Sequence, residues 1–157
     1  MSVLKVDTIN EKTSGNGVAI PGHVVQTVQS ETDRPHIATS STSYTASGVS
    51  LSITPKFANS VILIDFFIPM THTPNSNGAM NCRLYKGNTA LTSRNYSQGY
   101  LTNGDQYKSI KIEGMDDSHN STSSLTYEVY FKSEGGGQVF LCHNGSSTLL
   151  KLWEIAQ

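Results

Sequence analysis

Residues 125–157 read LTYEVYFKSEGGGQVFLCHNGSSTLLKLWEIAQ, three apolar runs parted by two turn clusters. In the first run Leu125, Tyr127, Val129 and Phe131 alternate with Thr126, Glu128, Tyr130 and Lys132. Alternate residues of a strand point to opposite faces, so this run has one buried and one wet side. Ser133-Glu134-Gly135-Gly136-Gly137 ends it, because glycine reaches backbone angles closed to other residues. Residues 139–142 are wholly apolar. His143-Asn144-Gly145 then breaks the pattern, and an Asn-Gly pair between apolar runs predicts a hairpin. The third run, residues 149–155, carries the single tryptophan, Trp153, and stops two residues short of Gln157. It reads as the closing strand of a β domain.

Moving outward, the same alternation recurs. Val49, Leu51 and Ile53 alternate with serines and Thr54. Residues 60–68, SVILIDFFI, are apolar on both faces apart from Asp65, as expected of a central strand covered on both sides. Met80, Cys82 and Leu84 alternate with Asn81, Arg83 and Tyr85, and Ile110 and Ile112 mark a further strand over 107–112. About eight to ten short strands at roughly 8–12-residue spacing predict a sandwich or barrel. The fold expected is all-β, an antiparallel sandwich of jelly-roll type over residues 44–157. Residues 31–43 form a polar connector. Residues 1–30 form an N-terminal arm with short apolar patches at Val3, Leu4, Val6, Ile9, Val18 and Ile20, too short and polar to bury a core of their own. An arm of this kind pairs with another subunit or protein; the alternative is an edge strand folded back on its own domain.

The chain has 157 residues, 36% hydrophobic and 15% charged, with a formal net charge of −1. Ser and Thr together make up about a quarter of it, and these residues compete with a helix for backbone hydrogen bonds. Lys and Arg are scattered, so the footprint of a nucleic-acid binder is absent. The longest apolar run, 61–70, is interrupted by Asp65 and Pro69 and is too short to insert in a membrane. No secretory signal is read at the N-terminus, which makes a cytosol the expected place of synthesis. Cys82 and Cys142 lie in apolar runs outside any metal-ligand spacing and are expected as buried free thiols, with a cross-strand disulfide as the alternative.

No catalytic residue, metal site or cofactor is expected. The five histidines lack any known ligand spacing. Cys142 and His143 are adjacent, and on a strand would face opposite ways. Asp116-Asp117-Ser118-His119 clusters oxygens without the spacing of a calcium loop, so a solvated loop is the reading kept. Binding is expected on loops held by the scaffold: residues 69–78 with His72 and Asn75, residues 93–105 with Tyr96, Tyr100 and Asn103, and residues 113–124 with Asp116, Asp117 and His119. Tyr85, Tyr96, Tyr100 and Tyr107 lie in or beside loops rich in Ser, Asn and Gly, which is the chemistry of adaptable contact surfaces, or else of an ordinary sandwich rim.

The opening SVLKVDTINEKTSGNGVAIPG is similar to the N-terminal segment of small tail-fibre-like structural proteins of bacteriophages, notably those of aquatic bacteria. Leu4, Val6, Thr8 and Ile9, then Gly15, Gly17, Val18 and Ile20, occupy the places of that pattern. Residues 44–55, YTASGVSLSITP, resemble a T-G-L-S-x-S-I-T-P motif that precedes an apolar strand. The resemblance implies a virion structural protein, a jelly-roll-like sandwich, a homotrimer, and an arm that attaches to other virion proteins. It implies contact with a host-surface glycan or protein through the loops. A capsid decoration or cement protein is the nearest alternative, and a lectin-like or glycan-cleaving module the next.

Overall fold

The computed structural model describes residues 8–10, 15, 17–74, 79–91, 96–98 and 105–157. The strands are β1 (Val24–Asp33), β2 (Ile37–Thr39), β3 (Thr45–Ile53), β4 (Val61–Thr73), β5 (Met80–Lys86), β6 (Thr89–Ala90), β7 (Tyr96–Gln98), β8 (Gln106–Asp116), β9 (Leu125–Ser133), β10 (Val139–Leu141) and β11 (Ser147–Ile155). The first sheet carries the neighbours β1-β11-β4-β8, the second β3-β9-β5-β7, and every pairing is antiparallel. This is the two-sheet, eight-strand order of a jelly roll. The other three strands lengthen it: β2 and β10 extend the first sheet, and β6 pairs with the far end of β5.

Alternation decides which residues meet between the sheets. Ile62, Ile64, Phe66 and Ile68 of β4 point inward with Leu150 and Leu152 of β11 and Ile112 of β8. They face Tyr127, Val129 and Phe131 of β9, Met80, Cys82 and Leu84 of β5, and Val49 and Ile53 of β3. Each such side chain contributes about 1.5–3 kcal/mol on leaving water, which is what holds two sheets of marginal strands together. Gly114 permits the closest approach: a Cβ there would lie 2.7 Å from Leu84 Cδ1. Both cysteines are buried and free. Burial, then the other thiol, pushes Cys82 up to about 12, and burial pushes Cys142 up to about 11.

Four sequence boundaries shift. Residues 24–30, expected in the arm, pair along β11 of their own domain from Val24↔Ile155 to Asp33↔Ser147, and Val28 packs on the core. The open edge of β11 is covered by the nearest chain, which is the folded-back alternative. The connector 31–43 contains the end of β1 and all of β2. Strand β4 continues through Pro69 to Thr73, since a register shift between Ile68 and Thr71 places the proline where no ladder donor is needed. The Asn-Gly pair makes no hairpin. Phe140 pairs with His72 and Leu149 with Phe67, so β10 and β11 follow one another along the same edge of β4. Residues between them jog outward through a single turn of 3-10 helix, with positive φ at Cys142, Asn144 and Gly145.

Candidate functional site

At one end of the sandwich two buried carboxylates flank Ile62 across the first sheet, Glu154 on β11 and Asp116 on β8. Glu154 accepts hydrogen bonds from the amides of Lys56 and Phe57 at 2.9 Å, from Ser60 Oγ at 2.7 Å and from Gln26 Nε2 at 2.6 Å. Asp116 accepts from Tyr127 Oη at 2.8 Å and from the Ser118 amide, and pairs with Lys86 Nζ at 2.8 Å. Burial pulls both carboxyls up, but these donors outweigh it and hold both below the ordinary carboxylate range. Tyr127 is pushed the other way, first by burial and then by the adjacent Asp116. Each acid is committed to tying a loop to the sheet ends.

This corrects the reading of residues 113–124 as a surface loop. Strand β8 runs to Asp116, which is 1% exposed, and His119 is 9% exposed with Nε2 3.3 Å from Ser60 Oγ and Nδ1 3.0 Å from the Ser121 carbonyl oxygen. Both serve the fold. Asp117 alone of the three is exposed. No group of three His, Cys, Asp or Glu side chains among the described residues has a metal-binding arrangement.

The opposite end gathers rings. Phe140, His72 and Tyr107 sit abreast on β10, β4 and β8. The His72 imidazole stacks on Tyr107 at 4.4 Å and on Phe140 at 5.3 Å, and His143 meets its edge at 4.5 Å. His36 meets the edge of Phe140 at 5.6 Å. His72 is therefore buried in a ring stack, not displayed on a loop; β4 extends beyond Pro69 and carries it. Its Nε2 lies 3.6 Å from Asp105. Burial, then His72 and His36, lowers the affinity of His143 for a proton.

The outward side of the second sheet presents a different chemistry. Tyr85 stacks on Tyr130 at 3.9 Å, and Tyr44 lies 6.4 Å from Tyr85. The Arg83 guanidinium sits 4.6 Å over the Tyr44 ring and Lys132 Nζ lies 5.4 Å from its centre. Lys132 also pairs with Glu134 at 2.9 Å. Burial raises the Tyr44 hydroxyl, and the two cations pull it back in part. Arg83 and Tyr85 of β5, Tyr130 and Lys132 of β9 and Tyr44 just before β3 make an aromatic surface carrying two cations, with Glu128 opposite Tyr85 and Glu134 beside Lys132. Of its residues, loop composition pointed to Tyr85 alone. In the sequence it shows as Arg83, Tyr85, Tyr130 and Lys132 at outward positions of 81–85 and 128–132, interspersed with Asn81 and Glu128.

The remaining expected positions are quickly placed. Ile9 is 58% exposed and Val18 and Ile20 are each 37% exposed, ahead of a turn anchored where the Gly22 amide donates to the Ala156 carbonyl. Tyr96 lies in β7, whose backbone pairs with β5 at Cys82. Val3, Leu4, Val6, Asn75, Tyr100 and Asn103 lie outside the described residues.

The molecule is thus a jelly-roll β-sandwich with two dissimilar outer faces. No protein-family model and no curated protein matches the chain. Among solved structures it is similar to the infectious bursal disease virus VP2 subviral particle, at 15% identity and TM-score 0.40, over 83% of this chain and 37% of that one. A T13 particle of the same virus matches at 11% identity and TM-score 0.43, over 98% and 40%. Latent PorU of Porphyromonas gingivalis matches at 8% identity and TM-score 0.39, over 90% and 14%. The chain spans less than half the length of each. At this level of likeness the functional reading rests on the molecule's own residues.

Proposed function

We propose that this is a non-enzymatic virion structural protein, a tail fibre or fibre-tip component that assembles as a homotrimer. It attaches through residues preceding β1 and meets the host surface with its sandwich. The observation that carries the binding role is the outward face of the second sheet. Tyr44, Tyr85 and Tyr130 with Arg83 and Lys132 form a rigid aromatic and cationic platform. Tyrosine supplies contact area at low entropy cost, and arginine and tyrosine dominate contact energies at interfaces. The partner is a host-surface glycan or protein carrying negative charge. A structural rather than catalytic role is supported by Asp116 and Glu154, whose oxygens are consumed by internal donors.

The test is adsorption of the purified protein to host cells. Arg83→Glu combined with Lys132→Glu should reduce cell binding about tenfold or more, since like-charge contacts at an interface cost several kcal/mol. Unchanged adsorption by a folded double variant would remove this face from the reading. Immunogold labelling of particles should mark the tail. Label spread over the capsid would favour the decoration role instead.

A further inference from the structure

The outward face of the first sheet carries a second pattern. Rows run across it, read from β1 through β11 and β4 to β8: Thr27, Trp153, Leu63, Met115; then Gln29, Lys151, Asp65, Glu113; then Glu31, Leu149, Phe67, Lys111. Leu63 and Phe67 are each 38% exposed and Met115 is 54% exposed, with Trp153 and Leu149 half-buried beside them. Together they form two exposed apolar rows on either side of a charged middle row, and exposed apolar area gathered on one face suits a contact surface. The charges on it identify the partner. At successive heights the β1/β11 margin offers Trp153 beside Thr27, Lys151 beside Gln29, and Glu31 beside Leu149, so that its apolar and charged groups, taken over the two strands, run apolar, positive, negative. The β8 margin reads apolar, negative, positive at the same heights, through Met115, Glu113 and Lys111. Within one copy Lys111 pairs with Glu113 at 2.7 Å and reaches Asp65 at 3.4 Å, but the Lys111 and Glu113 side chains stay more than half exposed, so each margin still presents charges complementary to the other.

We infer that this face binds further copies of the same chain, in a ring whose rotation axis runs parallel to β4. Such an axis preserves height along the strands and brings the β1/β11 margin of one copy against the β8 margin of the next. Trp153 then meets Met115 of the next copy, Lys151 meets Glu113, and Glu31 meets Lys111. Sulfur against an aromatic ring and opposite charges in register are favourable contacts. A two-fold axis across the strands through the middle row would instead set Lys151 on Lys151 and Glu113 on Glu113. Aligned packing of sheets with nearly parallel strands is one of the two common ways sheets stack. Leu63, Asp65 and Phe67 of each copy would line the axis, and the hollow between Phe67, Leu149 and Lys151 would receive a side chain from the neighbour. This deepens the assembly part of the proposed function and takes from it only the expectation of three copies.

The experiment is sedimentation equilibrium on the full chain and its variants, with thermal melts to verify folding. Wild type should associate. Glu113→Lys and Lys151→Glu should each raise the dissociation constant about tenfold or more, as like charges in register repel. The double swap, E113K with K151E, should restore association to within about threefold of wild type, a difference under 1 kcal/mol. Met115→Glu, at an exposed position, should weaken association without lowering the melting temperature. Deleting residues 1–22 should leave association intact. The inference is overturned by a wild type that stays monomeric at about 100 μM, where contacts weaker than about 5.5 kcal/mol go unseen. Single swaps without effect, or a double swap no better than either single, overturn it as well. Loss of association on deleting residues 1–22 would overturn it by making the arm the true link. Cell adsorption measured on the same proteins reports on the proposed function separately.

Discussion

Replacing Glu154 by leucine removes the acceptor on which one end of the sandwich closes. The carboxylate has no solvent exposure. Of its four donors, two have somewhere else to turn: Gln26 Nε2 already reaches the Thr54 carbonyl at 2.7 Å, and Ser60 Oγ lies 2.8 Å from the Phe57 carbonyl. The amides of Lys56 and Phe57 do not, because the turn holds them pointed inward at this side chain. Two orphaned donors at ~1–3 kcal/mol each give a loss of ~2–6 kcal/mol, against a total of ~5–15 kcal/mol for a typical domain. Urea unfolding followed by the fluorescence of Trp153, the adjacent residue and only tryptophan, measures it. The midpoint should fall with the slope unchanged.

A pH series separates the charge from the shape. The folded state holds the Glu154 carboxyl below its ordinary range, so its stabilisation is complete above the unfolded value of about 4.3 and is lost as pH falls through the folded value. Glu154→Gln should therefore cost most near neutrality and progressively less below pH ~4. A leucine variant within ~1 kcal/mol of wild type would contradict the orphaned-donor count. So would a glutamine variant whose deficit is constant from pH 7 to pH 3.

Three further outcomes follow from the same packing. Tyr127→Phe deletes one of the donors to buried Asp116 and should cost ~1–3 kcal/mol, read from the same denaturation curves, with Lys86 retaining its ion pair. Cys82 and Cys142, with thiols raised to about 12 and about 11, should react with a thiol reagent at pH 8 only as fast as the protein unfolds, whereas immediate labelling of either would place it at the surface. Deleting residues 149–157 removes the strand between β1 and β4 and should abolish folding, while deleting residues 1–22 should leave a cooperative melt, because β1 begins at Val24.

The strands were legible because their signal is local. Leu125 to Phe131 shows the period that makes one face of β9 apolar, and the both-sided run around Phe66 shows a strand with neighbours on each flank. The jelly roll itself needed pairings between distant residues, such as Val24 with Ile155 and Phe67 with Leu149. Asn144-Gly145 illustrates the difference. The dipeptide allows a reversal, but β4 offered β10 and β11 a single continuous edge, and the chain used its positive φ angles to jog instead.

Candidate sites followed the same division. Composition drew attention to the polar stretch around Asp116 and His119, and it is true that those residues are polar; only the tertiary structure turns them inward, because Tyr127, Lys86 and Ser60 arrive from other strands and loops to satisfy them. The tyrosine and arginine platform arises when register sets Arg83 opposite Tyr130 and brings Tyr44 alongside. Alternation along one strand determines which side of a sheet a residue takes. Which residues it meets there is decided by strand pairing, a non-local property that no single stretch of the chain contains.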